Sequence, residues 1–144
     1  MNVEQQTGPP DAETLSGGET TAPFWAATAR HELTRPVCNS CRRSFFIPQY
    51  LCTHCGSEDW EYQPSDGLGV VASYTVVHRA PDPRFATPYV VALVDMENEG
   101  WSLMTNIVGV DGEEVEIGMP VEVSWTRFED RVLPAFTARE KATA

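Results

Sequence analysis

The sequence has little positive charge. Ten bases stand against 21 acids, which gives a net charge of −11, and the only lysine is Lys141. Residues 64–144 are the most acidic part, with six bases and thirteen acids and a net charge of −7. Proteins bind the phosphates of duplex DNA through clustered cations, which this sequence lacks. The charge distribution therefore excludes duplex DNA binding of this kind.

The sequence also lacks long apolar segments. No apolar run approaches the ~18 residues that a membrane-spanning helix needs, and the N-terminus has no apolar stretch of the secretory type. We therefore expect no transmembrane helix and no secretory signal, and we predict a cytoplasmic protein. A chain of 144 residues that is 42% hydrophobic and 10% aromatic is sufficient for one globular domain, or for two very small ones that share a core.

The motifs of common enzyme classes are missing as well. The chain contains no glycine-rich phosphate loop, no HExxH and no GxSxG. Ser73, Tyr74 and Thr75 precede His78, but they fall in a predicted strand, where successive side chains point to opposite faces. They do not form a nucleophile–base pair, and the sequence predicts no catalytic residue.

The four cysteines are present as two CxxC pairs. Cys38 and Cys41 form the first pair, and Cys52 and Cys55 form the second after ten intervening residues. This is the ligand spacing of a tetrahedral zinc site, and four thiolates leave no position open for water. We therefore predict one structural Zn²⁺ per chain. His54, inside the second pair, is expected to be exposed and not to be a ligand.

Two other interpretations of the cysteine pairs, disulfides and a redox site, need features that the sequence lacks. A pair of disulfides would need an oxidising compartment, to which no signal directs this chain. A thioredoxin-like redox site would need a single CxxC that opens a helix in a βαβ unit. Gly56 directly follows the second pair, at a position where a tight knuckle can require a positive φ angle. The paired spacing favours zinc over both alternatives.

The rest of the chain divides by composition. The first residues are polar and rich in Gly, Pro, Thr and Glu, which is typical of a disordered tail. Thr21 and Pro23 then open a helix that is predicted to continue through Leu33 and to stop before Pro36. The predicted order is a disordered tail (1–20), an N-terminal helix (21–35), a zinc ribbon (36–63), an OB-fold (64–137) and a second tail (138–144).

A mainly β fold is predicted from residue 64 onward. β-branched and alternating segments are separated by turn residues, and three prolines exclude a central strand from the loop 80–88. Five strands with one short helical element between the third and the fourth are the order of a five-stranded OB-fold barrel. The predicted strands are 70–78, 89–96, 101–108, 120–128 and 131–137, with the helical turn at 111–118.

Taken together, the motifs from about Thr21 to Thr137 resemble one family, the DUF35 proteins. Its members combine an N-terminal helix, a rubredoxin-like zinc ribbon and an OB-fold. Besides the two knuckles, the matching segments are PFW at Pro23–Trp25, FIP at Phe46–Pro48, SYTVVHR at Ser73–Arg79, PYVVALVDME at Pro88–Glu97, LMTNIVG at Leu103–Gly109 and IGMPVEVSW at Ile117–Trp125.

The resemblance implies a non-catalytic accessory subunit. Such proteins are typically encoded with thiolase-superfamily enzymes, thiolases or retro-aldolases, that act on acyl-CoA, and some are fused to an enoyl-CoA hydratase domain. In actinobacteria they resemble the scaffold half of aldolases that degrade steroid side chains. The expected partner is therefore a thiolase-fold subunit, in a hetero-oligomer with two copies of each chain.

Two groups of candidate contact residues go with this expectation. Arg79 and Arg84 flank the loop 80–88 and are candidates for contacts with CoA phosphates. The candidates for the partner interface are large aromatic side chains, namely Phe24, Trp25, Phe45, Phe46, Tyr50 and Phe85. The alternative function is single-stranded nucleic-acid binding, which OB-folds and zinc ribbons support by analogy but which the charge of residues 64–144 opposes.

Overall fold

The computed structural model of the protein describes residues 18–140. Most of the two predicted tails, residues 1–17 and 141–144, lies outside the described residues. Helix α1 spans Ala22–Ala29, and a short 3-10 helix, Gly112–Glu114, lies between the fifth and sixth strands. The strands are β1 Thr34–Cys38, β2 Trp60–Pro64, β3 Leu68–Val77, β4 Tyr89–Met96, β5 Ser102–Ile107, β6 Pro120–Phe128 and β7 Arg131–Ala138.

Strands β3 to β7 close into a barrel. Their order is β3-β4-β5-β7-β6, and β6 pairs with β3 to complete the circle. All pairs are antiparallel except β5 with β7. The predicted mainly β fold with a five-stranded OB-fold barrel is therefore confirmed. The helical element between β5 and β6 is shorter than predicted, since Gly118 turns the chain back toward β3.

The barrel interior is filled by alternate strand residues, because successive side chains of a strand point to opposite faces. Val71, Val94, Val121 and Phe136 are almost completely buried. At Gly69 the backbones of β3 and β4 approach so closely that a Cβ atom would lie 2.7 Å from the carbonyl oxygen of Asp95. Close packing at this point requires glycine.

The zinc-ribbon segment is built on strands β1 and β2. They pair antiparallel, with Cys38 opposite Trp60, and the cysteine knuckles lie in the connection between them. Backbone bonds from Asn39 N–H to the Asp59 carbonyl (2.9 Å) and from Cys52 N–H to the Ser57 carbonyl (2.9 Å) tie this connection together.

The helix is shorter than the sequence predicts, and this is a correction. It ends at Ala29, and His31 takes a left-handed φ of 59° while its N–H bonds back to the carbonyl of Thr28. Leu33, predicted as the last helical residue, instead lies buried in the core just before β1. The chain has to leave the helix early so that Leu33 turns inward and β1 can begin. Thr21 lies at the N-cap but makes no side-chain capping bond.

Helix, ribbon and barrel share one core. Phe24 of α1 packs on Phe46 of the ribbon with ring centroids 5.6 Å apart, and Phe46 packs on Trp101 of the barrel at 5.1 Å. Nowhere between residues 18 and 140 does a helix reach the length and apolar character that a membrane crossing requires.

Candidate functional site

The two cysteine pairs converge on one point. Their four Sγ atoms all lie within 4.8 Å of one another. The Sγ of Cys38 is 3.6 Å from that of Cys55, and the Sγ of Cys41 is 3.8 Å from that of Cys52. A tetrahedral zinc with Zn–S bonds of about 2.3 Å would separate its sulfur ligands by about 3.8 Å. The donor set and its spacing therefore fit a zinc ion.

The same local turn positions each pair. In the first knuckle Arg42 N–H donates to the carbonyl of Cys38 (3.0 Å), and in the second Gly56 N–H donates to that of Cys52 (2.9 Å). Both residues have a positive φ, 65° at Arg42 and 77° at Gly56. Backbone N–H groups also point at sulfur, from Cys41 to Cys38 at 3.5 Å and from His54 to Cys52 at 3.4 Å.

The thiols differ in acidity because of these contacts. The backbone N–H of Cys41 is the main cause that lowers the pKa of Cys38 to about 6. At Cys55 the backbone N–H of Ser57 acts in the same direction, but the facing thiol of Cys38 and burial outweigh it and raise the pKa to about 11. Thiols packed this closely do not all ionise alone, and a divalent cation compensates the charge of four thiolates.

His54 lies beside this cluster and not in it. Its Nε2 is 3.0 Å from the carbonyl oxygen of Ser44, and its Nδ1 is 3.4 Å from a guanidinium nitrogen of Arg43. The imidazole is exposed. These contacts hold the ring against the knuckle surface.

The two arginines proposed as CoA contacts differ. Arg79 is exposed on the loop after β3. Arg84 pairs with Asp82 at 2.9 Å and with Glu129 at 2.5 Å, and its guanidinium lies 5.3 Å from the ring centroid of Phe128. The hydrogen bonds to both carboxylates raise the pKa of Arg84. Its charge is already compensated within the chain, which argues against Arg84 as a free phosphate-binding cation.

The six aromatic candidates for the partner interface differ in their exposure. Phe24 and Phe45 are only 4% and 2% exposed, so the expectation that they are open to a partner is corrected. Phe24 fills the core between helix and barrel, and Phe45 packs edge-on against Trp60 beside the cysteines. Trp25 and Phe46 are half-buried, whereas Tyr50 and Phe85 are exposed.

Sequence reasoning missed an apolar surface on the barrel. Met104 of β5 is 73% exposed and Ile47 of the ribbon is 65% exposed, and both line a cleft of about 310 Å³. A second cleft of about 400 Å³ shares Trp25, Asn106 and Leu133 with the first. The alternation of β5 places Met104 on the outer face of the barrel. An apolar residue at an outward position of a strand is the sequence feature that could have indicated this surface.

Two family models together match residues 25–126 of the chain. Residues 25–61 match the ChsH2 rubredoxin-like zinc ribbon domain, and residues 62–126 match the ChsH2 C-terminal OB-fold domain.

Three relatives show the range of chain lengths in which these domains occur. The chain is 42% identical over 115 residues to a probable enoyl-CoA hydratase alpha subunit of Thermomonospora curvata, covering 78% of this chain and 36% of that protein. It is 34% identical over 127 residues to the 3-oxo-4,17-pregnadiene-20-carboxyl-CoA hydratase alpha subunit of Mycobacterium tuberculosis, covering 87% and 40%. It is 35% identical over 95 residues to a DUF35 domain-containing scaffold protein of Methanocaldococcus jannaschii, covering 65% and 67%. The chain thus spans well under half the length of the two hydratase subunits.

One solved structure is closely similar. The Ltp2-ChsH2(DUF35) aldolase contains a chain that matches with a TM-score of 0.77 and 38% identity, covering 84% of this chain and 95% of that one.

Proposed function

The chain belongs to the DUF35 family of ChsH2-type zinc-ribbon and OB-fold proteins, and from this we propose that it is a non-catalytic accessory subunit of a thiolase-superfamily enzyme. The partner is a thiolase or retro-aldolase that acts on acyl-CoA in steroid or lipid side-chain degradation. The complex contains two copies of each subunit, and acyl-CoA is bound by the partner.

The observation that carries the proposal is the close match to the DUF35 chain of the Ltp2-ChsH2(DUF35) aldolase. The name of that structure joins a DUF35 chain to an aldolase. The relative in Methanocaldococcus jannaschii is named a scaffold protein, which supports an accessory role. The hydratase names of two longer relatives support a complex that also contains an enoyl-CoA hydratase domain.

The metal centre supports a structural role for this chain. We propose that Cys38, Cys41, Cys52 and Cys55 hold one Zn²⁺, as the spacing of their sulfur atoms allows. When bound, the ion would cross-link the two knuckles. It would supply no Lewis-acid chemistry, because four thiolates occupy every tetrahedral position. The residues of this chain then present a fixed surface to the partner and take no part in bond breaking.

Co-expression with a thiolase-fold enzyme encoded beside this chain tests the proposal. We expect one size-exclusion peak at micromolar concentration, whose mass by light scattering corresponds to two copies of each subunit. Two separate peaks, with the enzyme fully active alone, would contradict the accessory role. A shift of a single-stranded oligonucleotide by the lone protein at physiological salt would support nucleic-acid binding in its place.

A further inference from the structure

One side of the molecule, the apolar face, exposes a cluster of large apolar side chains. Among residues 18–140, eight large apolar side chains are exposed, and three of them form this face. Leu93 (37% exposed) and Met104 (73%) lie on neighbouring barrel strands, and Ile47 (65%) lies in the ribbon loop between the knuckles. Apolar clustering of this kind on a small protein is typical of an interaction site.

The members of the face are connected through the structure. Leu93 of β4 lies directly opposite Met104 of β5 in the sheet register. Met104 and Ile47 line the same cleft, so the barrel and ribbon parts of the face meet. Through Trp25 and Asn106 this cleft continues into the larger one beside the β6–β7 hairpin. The apolar face therefore extends over two parts of the chain that share one core.

The two clefts of this face carry no net charge. The smaller cleft is lined by uncharged residues alone, and in the larger cleft two arginines are matched by two acids. The acidic run Asp111–Glu116 lies on the β5–β6 connection and contributes to neither cleft. The charge that keeps the chain soluble is thus carried elsewhere on its surface.

The charge of the whole chain decides between two occupants. A second copy would bring another net charge of −11 against the first, and long-range repulsion opposes that pairing. A different subunit with an apolar, less acidic contact surface meets no such repulsion. The smaller cleft, whose lining residues are all uncharged, suits the core of an obligate interface, which is depleted in charged residues.

We propose that the apolar face is the docking surface for the thiolase-fold subunit, an inference that rests on the function proposed above. The partner contacts ribbon loop and barrel strands at once, so that it binds only the arrangement in which the two are packed together. Met104 and Ile47, the most exposed members, are its main anchors.

Charge substitutions at matched positions test the proposal. Met104→Glu and Ile47→Glu place a carboxylate on the barrel and ribbon parts of the face, and both residues line the smaller cleft. Ile117→Glu is the matched control, because Ile117 is 71% exposed and lines neither cleft. With purified partner, we expect Met104→Glu to weaken the Kd by at least about 30-fold, as at an interface anchor. Ile47→Glu should weaken it similarly, and Ile117→Glu by less than about 3-fold.

The outcomes separate this inference from the proposed function. If the unmodified chain does not bind the partner, the proposed function fails. If it binds and both face variants bind equally well, the docking surface lies elsewhere and only this inference is overturned. Circular dichroism verifies the fold of each variant. If Met104→Glu does not fold, Met104→Ser replaces it in the binding measurement. A stable dimer of the lone chain that Met104→Glu dissociates would also overturn the inference, because it would assign the face to a second copy.

Discussion

Glu99 is a buried carboxylate that joins the ribbon to the barrel. Its side chain is only 8% exposed, and it accepts hydrogen bonds from the Ser65 hydroxyl (2.6 Å), the Asp66 N–H (2.9 Å) and the Trp101 indole N–H (3.0 Å). Arg35 of β1 lies 3.9 Å away and also donates to the carbonyl of Pro64. Burial would raise the pKa of Glu99, but the three hydrogen bonds and the charge of Arg35 outweigh it and lower the pKa.

We expect Glu99→Gln to reduce the free energy of unfolding at pH 7 by about 1–3 kcal/mol, since it removes charge-assisted bonds in a buried site. A carboxyl whose pKa is lowered on folding stabilises the folded state at pH values above its ordinary pKa of 4.5. This stabilisation is lost as the pH falls below 4.5 and through the pKa of the folded state. As the pH is lowered from 5, the free energy of unfolding should therefore fall more steeply for the unmodified protein than for the variant. Urea denaturation at a series of pH values measures both effects.

Glu116→Gln is the control for this series, because Glu116 is an exposed carboxylate on the β5–β6 connection. It should unfold within about 0.5 kcal/mol of the unmodified chain. Equal acid sensitivity of the Glu99→Gln variant and the unmodified protein would show that Glu99 does not carry the junction.

The four cysteines and Glu99 show what a single sequence reveals about individual residues. The cysteines were predictable because each CxxC turn is local and two turns at this spacing have one common use. The partners of Glu99 lie at Arg35, Ser65 and Trp101, far apart in the chain. No local sequence pattern indicates a carboxylate whose role depends on such distant contacts. The role of Glu99 could therefore not be predicted from the sequence.

Helix α1 is the element that joins ribbon and barrel. Phe24 is 4% exposed and contacts Trp25 and Phe46, whose ring in turn packs on Trp101. On the other side of the helix, the guanidinium of Arg131 from β7 lies 4.7 Å from the ring centroid of Trp25.

We expect Phe24→Ala to lower the free energy of unfolding by about 3–5 kcal/mol, because the cavity left between helix, ribbon and barrel cannot collapse without moving all three. Phe85→Ala removes the same side chain from a position that is 39% exposed and should cost clearly less. Chemical denaturation of both variants gives the comparison. Equal losses would mean that the helix does not hold the two parts together.

At the element scale the strands were predicted better than the helix. The predicted strands at 89–96 and 120–128 coincide with β4 and β6, since Pro88 and Pro120 mark where they begin and the turn residues 97–100 and 129–130 mark where they end. The helix end was misplaced because Leu33 is apolar in either conformation, and only the tertiary core decides that it turns inward. The burial of Phe24 and Phe45 escaped prediction for the same reason, as size and apolarity do not reveal what a ring contacts.

At the scale of the whole molecule, the ribbon that carries the cysteine cluster is packed directly against the barrel. The ribbon residues Phe46 and Tyr62 pack against the core of the barrel, and the Tyr62 hydroxyl donates to the carbonyl of Thr20 just before α1. The cysteine cluster has only a small apolar core of its own, around Phe45 and Trp60. Because a ribbon with so small a core needs a further cross-link to fold, we expect loss of the proposed metal to affect the surface that the barrel and ribbon form together.

Metal removal tests this coupling. Protein purified without chelator should contain about one zinc per chain, and chelation should destabilise the ribbon strongly, because a structural zinc supplies roughly 10 kcal/mol of folding free energy in isolated fingers. Since Phe46 packs on Trp101, the near-ultraviolet circular dichroism of the barrel should weaken together with the ribbon signals. Cys52→Ser should reproduce the effect without chelator, whereas Ser57→Ala, beside the knuckle but without a sulfur ligand, should retain the metal. A zinc content well below one per chain, or an apoprotein that unfolds at the same denaturant concentration as the metal-loaded form, would show that the fold does not rest on the metal.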